Sequence, residues 1–369
     1  MAIKIFESRA GLIDKLRARG LDFDEQELSD TLTKFNYYSL FNGFENLLLS
    51  ELQPKRYNDV TLADFKALYK FDKALSRIIF AYLNNLESAL KTSIAYHFAK
   101  CYCSTLEDTM QYTNKSNYMN PQDDSYFSDT YCPYSNNYPF LNEQNHDIYF
   151  GFNDFVFFKQ KYLSNLIDKH DHIDKNFYQS ENYSAPRNVA VYRDDNVHSD
   201  VAVPIWVAIE VLSFGQVLRI LHYLKDDVME GVLADFNLRI SKRFEFLNML
   251  DFLLYLRNCC AHGSLINRFN TPVRYIINSN IARSFCLHPQ KYLNYKKSKL
   301  SLFDVLKLLS YFYPLNDIKT LLKRFFYSNN KRMGIRHGNE LKEKVLLQMG
   351  CPRYIEWKLL LSGNSRFNL

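Results

Sequence analysis

The strongest constraint on the fold is a run of apolar residues that recurs every three or four positions between residues 61 and 102. This spacing matches an α-helix with one buried face, so it predicts one long helix or two in series. Thr61, with Asp64 three residues later, resembles a capping box and marks the start. The apolar positions are Phe65, Leu68, Tyr69, Phe71, Leu75, Ile78, Ile79, Tyr82, Leu86, Leu90, Ile94 and Phe98.

A helix of that length needs partners for its apolar face, and similar periodicity recurs along the chain. Pro204 suits the first position of one further helix, and Gly263 suits the end of another. With only 11 Gly and 10 Pro, a turn-dense β protein is disfavoured, and the sequence predicts an all-α fold. A helix start is predicted near residue 22, ahead of an aromatic cluster. The further helices are predicted at residues 204–225, 228–238, 242–262, 301–314, 316–327 and 340–349, the last after a basic link.

Two polar segments interrupt the helical pattern. Residues 104–150 are dense in Asn, Asp, Ser, Tyr and Pro and lack periodicity, which predicts a long irregular insert. A helix is expected at 152–170, followed by a second polar segment at 172–203. The predicted organisation is an N-terminal helical segment at 1–58, a helical core with both inserts at 59–290, and a basic C-terminal helical region at 291–369.

Net charge and cysteine content indicate the kind of partner and the cellular compartment to expect. The net charge is +6 and the pI about 8.7, a mild basic excess compatible with a polyanionic partner. The seven cysteines are scattered, and the first residues, MAIKIFESRAGL, lack the apolar core of a secretory signal. No stretch approaches 18 uninterrupted apolar residues. We therefore expect a cytoplasmic protein with reduced thiols and no membrane span.

The end of the helix predicted at 242–262 carries the best candidate for chemistry, within LRNCCAHGSLINR at residues 256–268. Histidine transfers protons near neutral pH, and arginine binds phosphate through two parallel hydrogen bonds. Arg257 and His262 could therefore cleave RNA without a metal, because RNA supplies its own nucleophile, the 2′-hydroxyl. Asn258 could orient the phosphate or the pair. The equally open alternative is a polar cap on a buried helix.

The spacing of this pair is not specific, because Arg-x4-His occurs four times in the chain. Only Arg257 ends a long apolar helix, where a cation is otherwise costly. Residues five apart in a helix also differ by about 140° around the axis. The two side chains can therefore share one groove only if the helix bends or ends there, or if a second copy contributes. The four pairs are Arg193–His198, Arg257–His262, Arg283–His288 and Arg332–His337.

Basic and aromatic residues mix in the C-terminal region, a combination that suits single-stranded RNA through phosphate contacts and base stacking. The alternative is a solvated helix face whose aromatic residues belong to the core. The candidate RNA-binding residues are Lys291, Lys296, Lys297, Lys299, Lys323, Arg324, Lys331 and Arg332.

Cysteine spacing disfavours a metal site. Cys101 and Cys103 are wrongly spaced for a zinc knuckle, and Cys259 and Cys260 are adjacent. No phosphate-binding or dinucleotide-binding glycine motif occurs either, so neither a metal nor another cofactor is predicted.

Two acidic residues, Glu87 and Glu210, fall within apolar helices. A buried carboxylate without a partner is costly, so each is expected to pair with a cation or a backbone donor. For Glu210 the alternatives are a bond to Arg257 or His262, or a purely structural partner.

Five sequence segments resemble, in order, those of one protein family. NYYSLFNGF at 36–44 is similar to NYYRLSGY, and the segment LYKFDKALSRIIFAYLNNLESALKTSIAYHF is similar to an fD-x-x-L…iE-x-x-L helix. PIWVAIEVLSFGQVLRI resembles P-x-W…E-x-x-SFG, RNCCAHGSLINR resembles RN-x-x-A-H…L-x-N-R, and VLLQMGCPRYIEW resembles the closing segment. These motifs belong to the Abi-like abortive infection proteins of the AbiD and AbiF group. Residues 263–266 depart from the family's common sequence.

The resemblance implies a HEPN-type helical bundle and a metal-independent endoribonuclease that works as a homodimer, with two copies of the motif in one composite site. By the family mechanism, His262 would act as general base or acid, and Arg257 would stabilise the pentacoordinate phosphorane. The product would be a 2′,3′-cyclic phosphate. The resemblance also implies an anti-phage, toxin–antitoxin-like system in which a cognate non-coding RNA binds and restrains the protein.

Two alternatives from other functional classes stay open. One is a catalytically inactive RNA-binding scaffold that uses the same basic surface. The other is a protein–protein module in which Arg257 and His262 only cap a helix.

Overall fold

The computed structural model describes residues 6–105, 108–120, 151–159, 192–193, 200–201, 203–272, 275, 277–287 and 299–362. These residues are mainly helical, which confirms the predicted all-α class. None of their helices is long and apolar enough to cross a membrane. The chain forms two compact units: Met1–Ala81, Leu256–Asn270 and Ser301–Arg366 make the first, and Tyr82–Tyr255, Thr271–Leu300 and Phe367–Leu369 make the second.

The first unit begins with short elements. They are α1 (Arg9–Ala18), α2 (Glu25–Lys34), a π-helical turn (Tyr38–Asn42), α3 (Glu45–Leu48) and an antiparallel hairpin of β1 (Leu49–Leu52) and β2 (Lys55–Tyr57). The Asp24 side chain accepts a hydrogen bond from the backbone N–H of Glu27 at 2.8 Å and so caps α2. The acidic start predicted near residue 22 is therefore a helix start.

The periodic run at 61–102 forms one helix, α4 (Leu62–Tyr102), 41 residues long. Asp64 Oδ2 accepts hydrogen bonds from the backbone N–H of Thr61 at 2.8 Å and from its hydroxyl at 3.0 Å, which confirms the predicted cap. Leu75, Leu86 and Leu90 are buried along its apolar face. The boundary between the two units falls within this helix, after Ala81.

The polar inserts lie mostly outside the described residues, as does the predicted helix beyond residue 159. Within 151–159 the chain forms two 3-10 turns, Phe152–Asp154 and Val156–Phe158, so the helix predicted there is wrong. Phe152, Phe155 and Phe157 are all buried, and residues 155 and 157 cannot share one face of an α-helix. Further 3-10 turns lie at Gln111–Thr113 and Lys115–Asn117, and a short hairpin joins β3 (Tyr192–Arg193) to β4 (Asp200–Val201).

The single helix predicted at 204–225 is broken. Leu212 is extended, and the side chain of Gln216 accepts hydrogen bonds from the backbone N–H of Ser213 at 2.8 Å and from its hydroxyl at 3.1 Å. This local cap starts a new helix at Phe214. The elements that follow Pro204 are α5 (Ile205–Ala208), a 3-10 turn (Ile209–Val211), α6 (Phe214–Tyr223), α7 (Asp226–Asp235), a 3-10 turn (Ile240–Lys242), α8 (Arg243–Ala261), a 3-10 turn (Ile266–Arg268) and α9 (Ser279–Ser284).

The C-terminal helices return to the first unit. They are α10 (Leu302–Phe312), α11 (Asn316–Met333), α12 (Ile335–Gln348) and α13 (Tyr354–Leu360). The basic link predicted before residue 340 is wrong, because α11 and α12 are separated only by Gly334, with φ +81°. A Cβ at Gly338 would lie 2.1 Å from Asn330 Oδ1, so a glycine lets these two helices approach closely.

Candidate active site

Helix α8 ends after Ala261, between the two members of the candidate catalytic pair. The N–H of Ser264 donates to the carbonyl of Cys259 at 3.0 Å, and the N–H of Gly263 donates to that of Cys260 at 3.2 Å. Gly263 has φ +70°, so this is a Schellman end with glycine in the left-handed conformation, as predicted. His262 therefore lies in the turn after the helix, and the condition that the helix ends there is met.

Arg257 is half-buried in the last turns of α8. Its guanidinium carbon lies 5.7 Å from the centroid of the Phe80 ring, a cation–π arrangement. Its Nη1 donates to Asn258 Oδ1 at 3.4 Å, and the carbonyl of Asn258 accepts the N–H of His262 at 2.9 Å. Asn258 thus contacts both members of the pair, one through its side chain and the other through its backbone.

His262 is exposed, as are its neighbours Ala261, Gly263 and Ser264. No hydrogen bond from a described residue engages its imidazole. The exposed side chain of His262 can therefore meet a substrate without breaking a hydrogen bond to any residue that the structure describes.

Two adjacent residues of α4 hold the loop that follows His262. Lys73 Nζ donates to the carbonyl of Gly263 at 2.8 Å, and Asp72 Oδ1 accepts the N–H of Asn267 at 2.7 Å. Together they fix both ends of the loop at 263–267. Sequence reasoning did not single out Asp72 or Lys73 as site residues, and the available signal was a carboxylate inside the apolar face of α4.

Burial is the largest cause of the shifted pKa values of two side chains beneath this loop. Desolvation raises the pKa of Asp72 from 3.8 to about 6, and hydrogen bonds from the backbone N–H groups of Asn267 and Ile266 offset part of that rise. Burial also raises the pKa of the Cys260 thiol to about 12. A thiol with such a pKa stays protonated near neutral pH and is a poor nucleophile.

The segment at 36–44 also packs against this loop. A Cβ at Gly43 would clash with the backbone carbonyl oxygen of Ser39, so this position requires glycine, and the same Cβ would lie 2.7 Å from Leu265 Cδ1, which places Gly43 against the loop. The Arg268 guanidinium donates to Asn46 Oδ1. The segments around Gly43, Asp72 and His262, far apart in sequence, therefore meet at one loop of the first unit.

The two acidic candidates have different surroundings in the second unit. Glu87 pairs with Lys91 at 3.2 Å, which confirms that it has a cationic partner. Glu210 is exposed in the 3-10 turn Ile209–Val211, so its predicted burial is wrong, because the helix expected to bury it breaks there. Its backbone carbonyl accepts Lys91 Nζ at 3.0 Å. The bond from Glu210 to Arg257 or His262 stays a prediction.

The Abi-like protein family model matches residues 30–267, well over half of the chain. The chain belongs to the Abi-like protein family. No curated protein and no solved structure matches it. Membership in this family suggests a role in abortive infection. The matched range includes Arg257, Asn258, His262 and Glu210 and ends before the C-terminal helices.

The basic candidates of this Abi-like protein divide into four groups. Lys291, Lys296 and Lys297 lie outside the described residues, and Lys299 is exposed in the second unit. The Arg332 Nε donates to Asp64 Oδ1 at 2.6 Å, so this guanidinium is engaged within the first unit.

The remaining three, Lys323, Arg324 and Lys331, are exposed on α11. Tyr327 lies between them and is 75% exposed, whereas Phe325 and Phe326 are buried in the core. Residues 323, 324, 327 and 331 share one face of a helix. We call these four residues the α11 stripe.

Two observations concern the cysteines and possible metal ligands in the described residues of the Abi-like chain. The cysteines described there are free. Within the same ranges no group of three or more His, Cys, Asp or Glu residues is arranged to hold a metal ion.

Proposed function

We propose that this Abi-like protein is a HEPN-type endoribonuclease that cleaves RNA at Arg257 and His262. The observation that carries the proposal is the exposed imidazole of His262 in a turn tied through Asn258 to the half-buried Arg257. Lys73 and Asp72 fix the loop after that turn, which gives the pair the preorganisation that catalysis needs.

The proposed reaction uses only RNA and protein groups. The 2′-oxygen attacks the adjacent phosphorus, so the bond between O2′ and phosphorus forms while that to O5′ breaks. A base accepts the proton of the 2′-hydroxyl, and an acid donates a proton to the leaving 5′-oxygen. Arg257 donates hydrogen bonds to the non-bridging oxygens as negative charge develops on the phosphorane. The products are a 2′,3′-cyclic phosphate and a 5′-hydroxyl.

This reaction needs two proton transfers, whereas the motif of one chain supplies one histidine. We propose that two chains form a homodimer in which the His262 residues of both copies act in one groove, one as base and the other as acid. A two-fold axis brings the same surface patch of both subunits together, so it brings together two copies of an exposed turn at that patch.

The α11 stripe supports RNA as the partner. Lys323, Arg324 and Lys331 can contact phosphates, and Tyr327 offers a ring for base stacking. We propose that a cognate non-coding RNA binds here and restrains the nuclease in an anti-phage, toxin–antitoxin-like system. A bound RNA that occupies the basic surface would compete with target RNA.

The test is cleavage of single-stranded RNA in EDTA after co-purified nucleic acid has been removed by anion exchange at high salt. We expect wild type to leave 2′,3′-cyclic phosphate ends, and Arg257→Ala and His262→Ala to lose at least about a hundredfold in rate, the usual contribution of an acid–base group. Arg336→Ala and His337→Ala are matched controls, since both residues are exposed on α12, and they should cut like wild type.

Three results would contradict the nuclease. Cleavage that EDTA abolishes would require a metal. Equal cleavage by the Arg257→Ala, His262→Ala and control variants would remove the pair from the site. RNA binding without cleavage by any form would instead favour the RNA-binding scaffold.

A further inference from the structure

The second unit contains a cleft of about 590 Å³ beside α4 and α5. This volume lies in the range of sites that hold small organic molecules. One face of α4 forms a wall, in which Ala95 and Ala99 leave space that larger side chains would fill. The other residues that define the chemistry of the cleft are Lys91, Tyr96, Lys100, Trp206 and Glu210.

Two large aromatic side chains are exposed at this cleft. Trp206 is 57% exposed and Tyr96 is 63% exposed. Tyr96 meets only the edge-on ring of His97 among the described aromatic contacts, so both side chains stay more than half exposed. Stacking a base on such a ring contributes about 1–3 kcal/mol in proteins that bind single-stranded nucleic acids.

Charged groups of both signs stand beside these rings. Lys91 is only 7% exposed, and its ammonium is fixed between the Glu87 carboxylate and the Glu210 carbonyl. Because Glu87 neutralises Lys91, the exposed Lys100 is the cation available to a phosphate. No described residue pairs with the Glu210 carboxylate, so it can accept hydrogen bonds from an amine of a ligand.

We propose that this cleft binds one unpaired nucleotide of RNA, with its base stacked on Trp206, its exocyclic amine bonded to Glu210 and its phosphate at Lys100. This inference rests on the proposed function, because RNA is the biological ligand only if the protein acts on RNA, and it adds a binding site for one base. Adenine, guanine and cytosine carry an exocyclic amine and uracil does not, so the cleft disfavours uridine. A protein partner fits less well, because the small cleft sets one cation and one carboxylate, neither of them paired with a described residue, beside rings suited to a single base.

Tryptophan fluorescence tests the site in the full-length protein. The chain has two tryptophans, and Trp357 is fully buried, so emission that iodide quenches comes from Trp206. Titration with 5′-AMP should quench this emission to saturation. With 5′-UMP we expect binding about tenfold weaker, the effect of one lost hydrogen bond to a charged group.

Variants of Trp206 test base stacking, and a variant of Ala99 tests whether the ligand occupies the cleft. Trp206→Phe keeps a ring and should bind a fluorescein-labelled hexa-adenylate within about threefold of wild type, whereas Trp206→Ala should bind at least about fivefold more weakly, as expected for one lost stack. Ile355→Ala, which truncates another exposed apolar side chain, is the matched control and should bind like wild type. Ala99→Phe fills the cleft without removing a charge and should abolish the response to 5′-AMP.

Other outcomes overturn the site. A folded wild type that shows no saturable quenching by 5′-AMP refutes it. Emission from Trp206 that becomes shielded as protein concentration rises, without any response to nucleotide, would assign the cleft to a second copy of the chain. Wild type that cleaves RNA but does not bind 5′-AMP refutes the cleft alone, and 5′-AMP binding without any cleavage refutes the nuclease alone.

Discussion

At the scale of single residues, Asp72 holds the loop after His262 at a cost in stability near neutral pH. Burial raises its pKa to about 6 in the folded chain, from an ordinary value of 3.8. Below pH 3.8 the carboxyl is protonated in both states and carries no penalty. As pH rises from 3.8 to 6, the unfolded chain ionises first, so the free energy of unfolding falls by about 3 kcal/mol in total.

We therefore predict that Asp72→Asn stabilises the protein at neutral pH. The amide oxygen can still accept the N–H of Asn267, but the side chain cannot ionise. Urea unfolding should give equal stability for variant and wild type near pH 4, and a variant more stable by up to about 3 kcal/mol at pH 7.5. Asp72→Ala, which removes the acceptor, should be less stable at both pH values. A difference between Asp72→Asn and wild type that does not change with pH would contradict the buried, titrating carboxylate.

Some residues of the candidate site could be predicted from the sequence, and others could not, for a physical reason. Arg257, Asn258 and His262 are close in sequence, and an apolar run followed by glycine is enough to place them at a helix end. Asp72 and Lys73 act on a loop 190 to 195 residues away, and the period of one helix does not report which loop its polar residues contact. Glu210 was expected to be buried because the break at Leu212 was not foreseen.

At the scale of elements, the end of α8 gives a second prediction. Gly263 has φ +70° and Gly334 has φ +81°, conformations that a Cβ makes unfavourable. At neither position does a Cβ meet an atom closer than 3.9 Å, so the cost of alanine is conformational rather than steric. We expect Gly263→Ala to lose about 1–2 kcal/mol in the free energy of unfolding, and Gly334→Ala, whose ψ of 158° lies in a region that essentially only glycine adopts, to lose about 1–3 kcal/mol.

Only the change at Gly263 should affect cleavage, because that glycine ends the helix beside His262. The rates of RNA cleavage by the two variants are compared at a temperature where both are fully folded. Gly334→Ala is the matched control. Equal slowing of cleavage by both variants would mean that stability, rather than the geometry of the helix end, controls the rate.

The α11 stripe allows a third prediction, about salt. Each phosphate contact to single-stranded RNA contributes about 0.7 to the slope of log affinity against log salt concentration. Replacing Lys323, Arg324 and Lys331 with glutamine should lower that slope by about 2, in fluorescence anisotropy measured from 50 to 300 mM salt. The same changes at the exposed Arg9, Lys34 and Arg239 remove equal charge elsewhere and should leave the slope nearly unchanged. Equal loss from both triple variants would indicate a general charge effect.

The element boundaries show where periodicity fails as a guide. The 41 residues of α4 were predictable because the apolar pattern continues without a break after a well-defined N-terminal cap. The break at Ser213 came from a side chain that competes locally with the helix, although the apolar steps continue across it. The basic residues between 327 and 340 suggested a link without helical structure. In the structure α11 continues through this stretch to Met333 and α12 begins at Ile335, and each helix buries one residue there, Asn329 in α11 and Gly338 in α12.

At the scale of the whole molecule, the decisive property is how many chains one active groove needs. If the His262 residues of two copies act together, a dimer with one His262→Ala subunit is inactive. A mixture of equal amounts of wild type and His262→Ala, after full subunit exchange, should then show about a quarter of the wild-type rate at equal total protein, because only dimers of two intact chains cut. Independent sites, or a monomer, would give about one half. Exchange is verified by co-purification of differently tagged chains, and a mixture with His337→Ala should keep the full rate. A rate of one half with verified exchange would place a complete site on each chain, and the second proton-transfer group would then have to be sought within the same subunit.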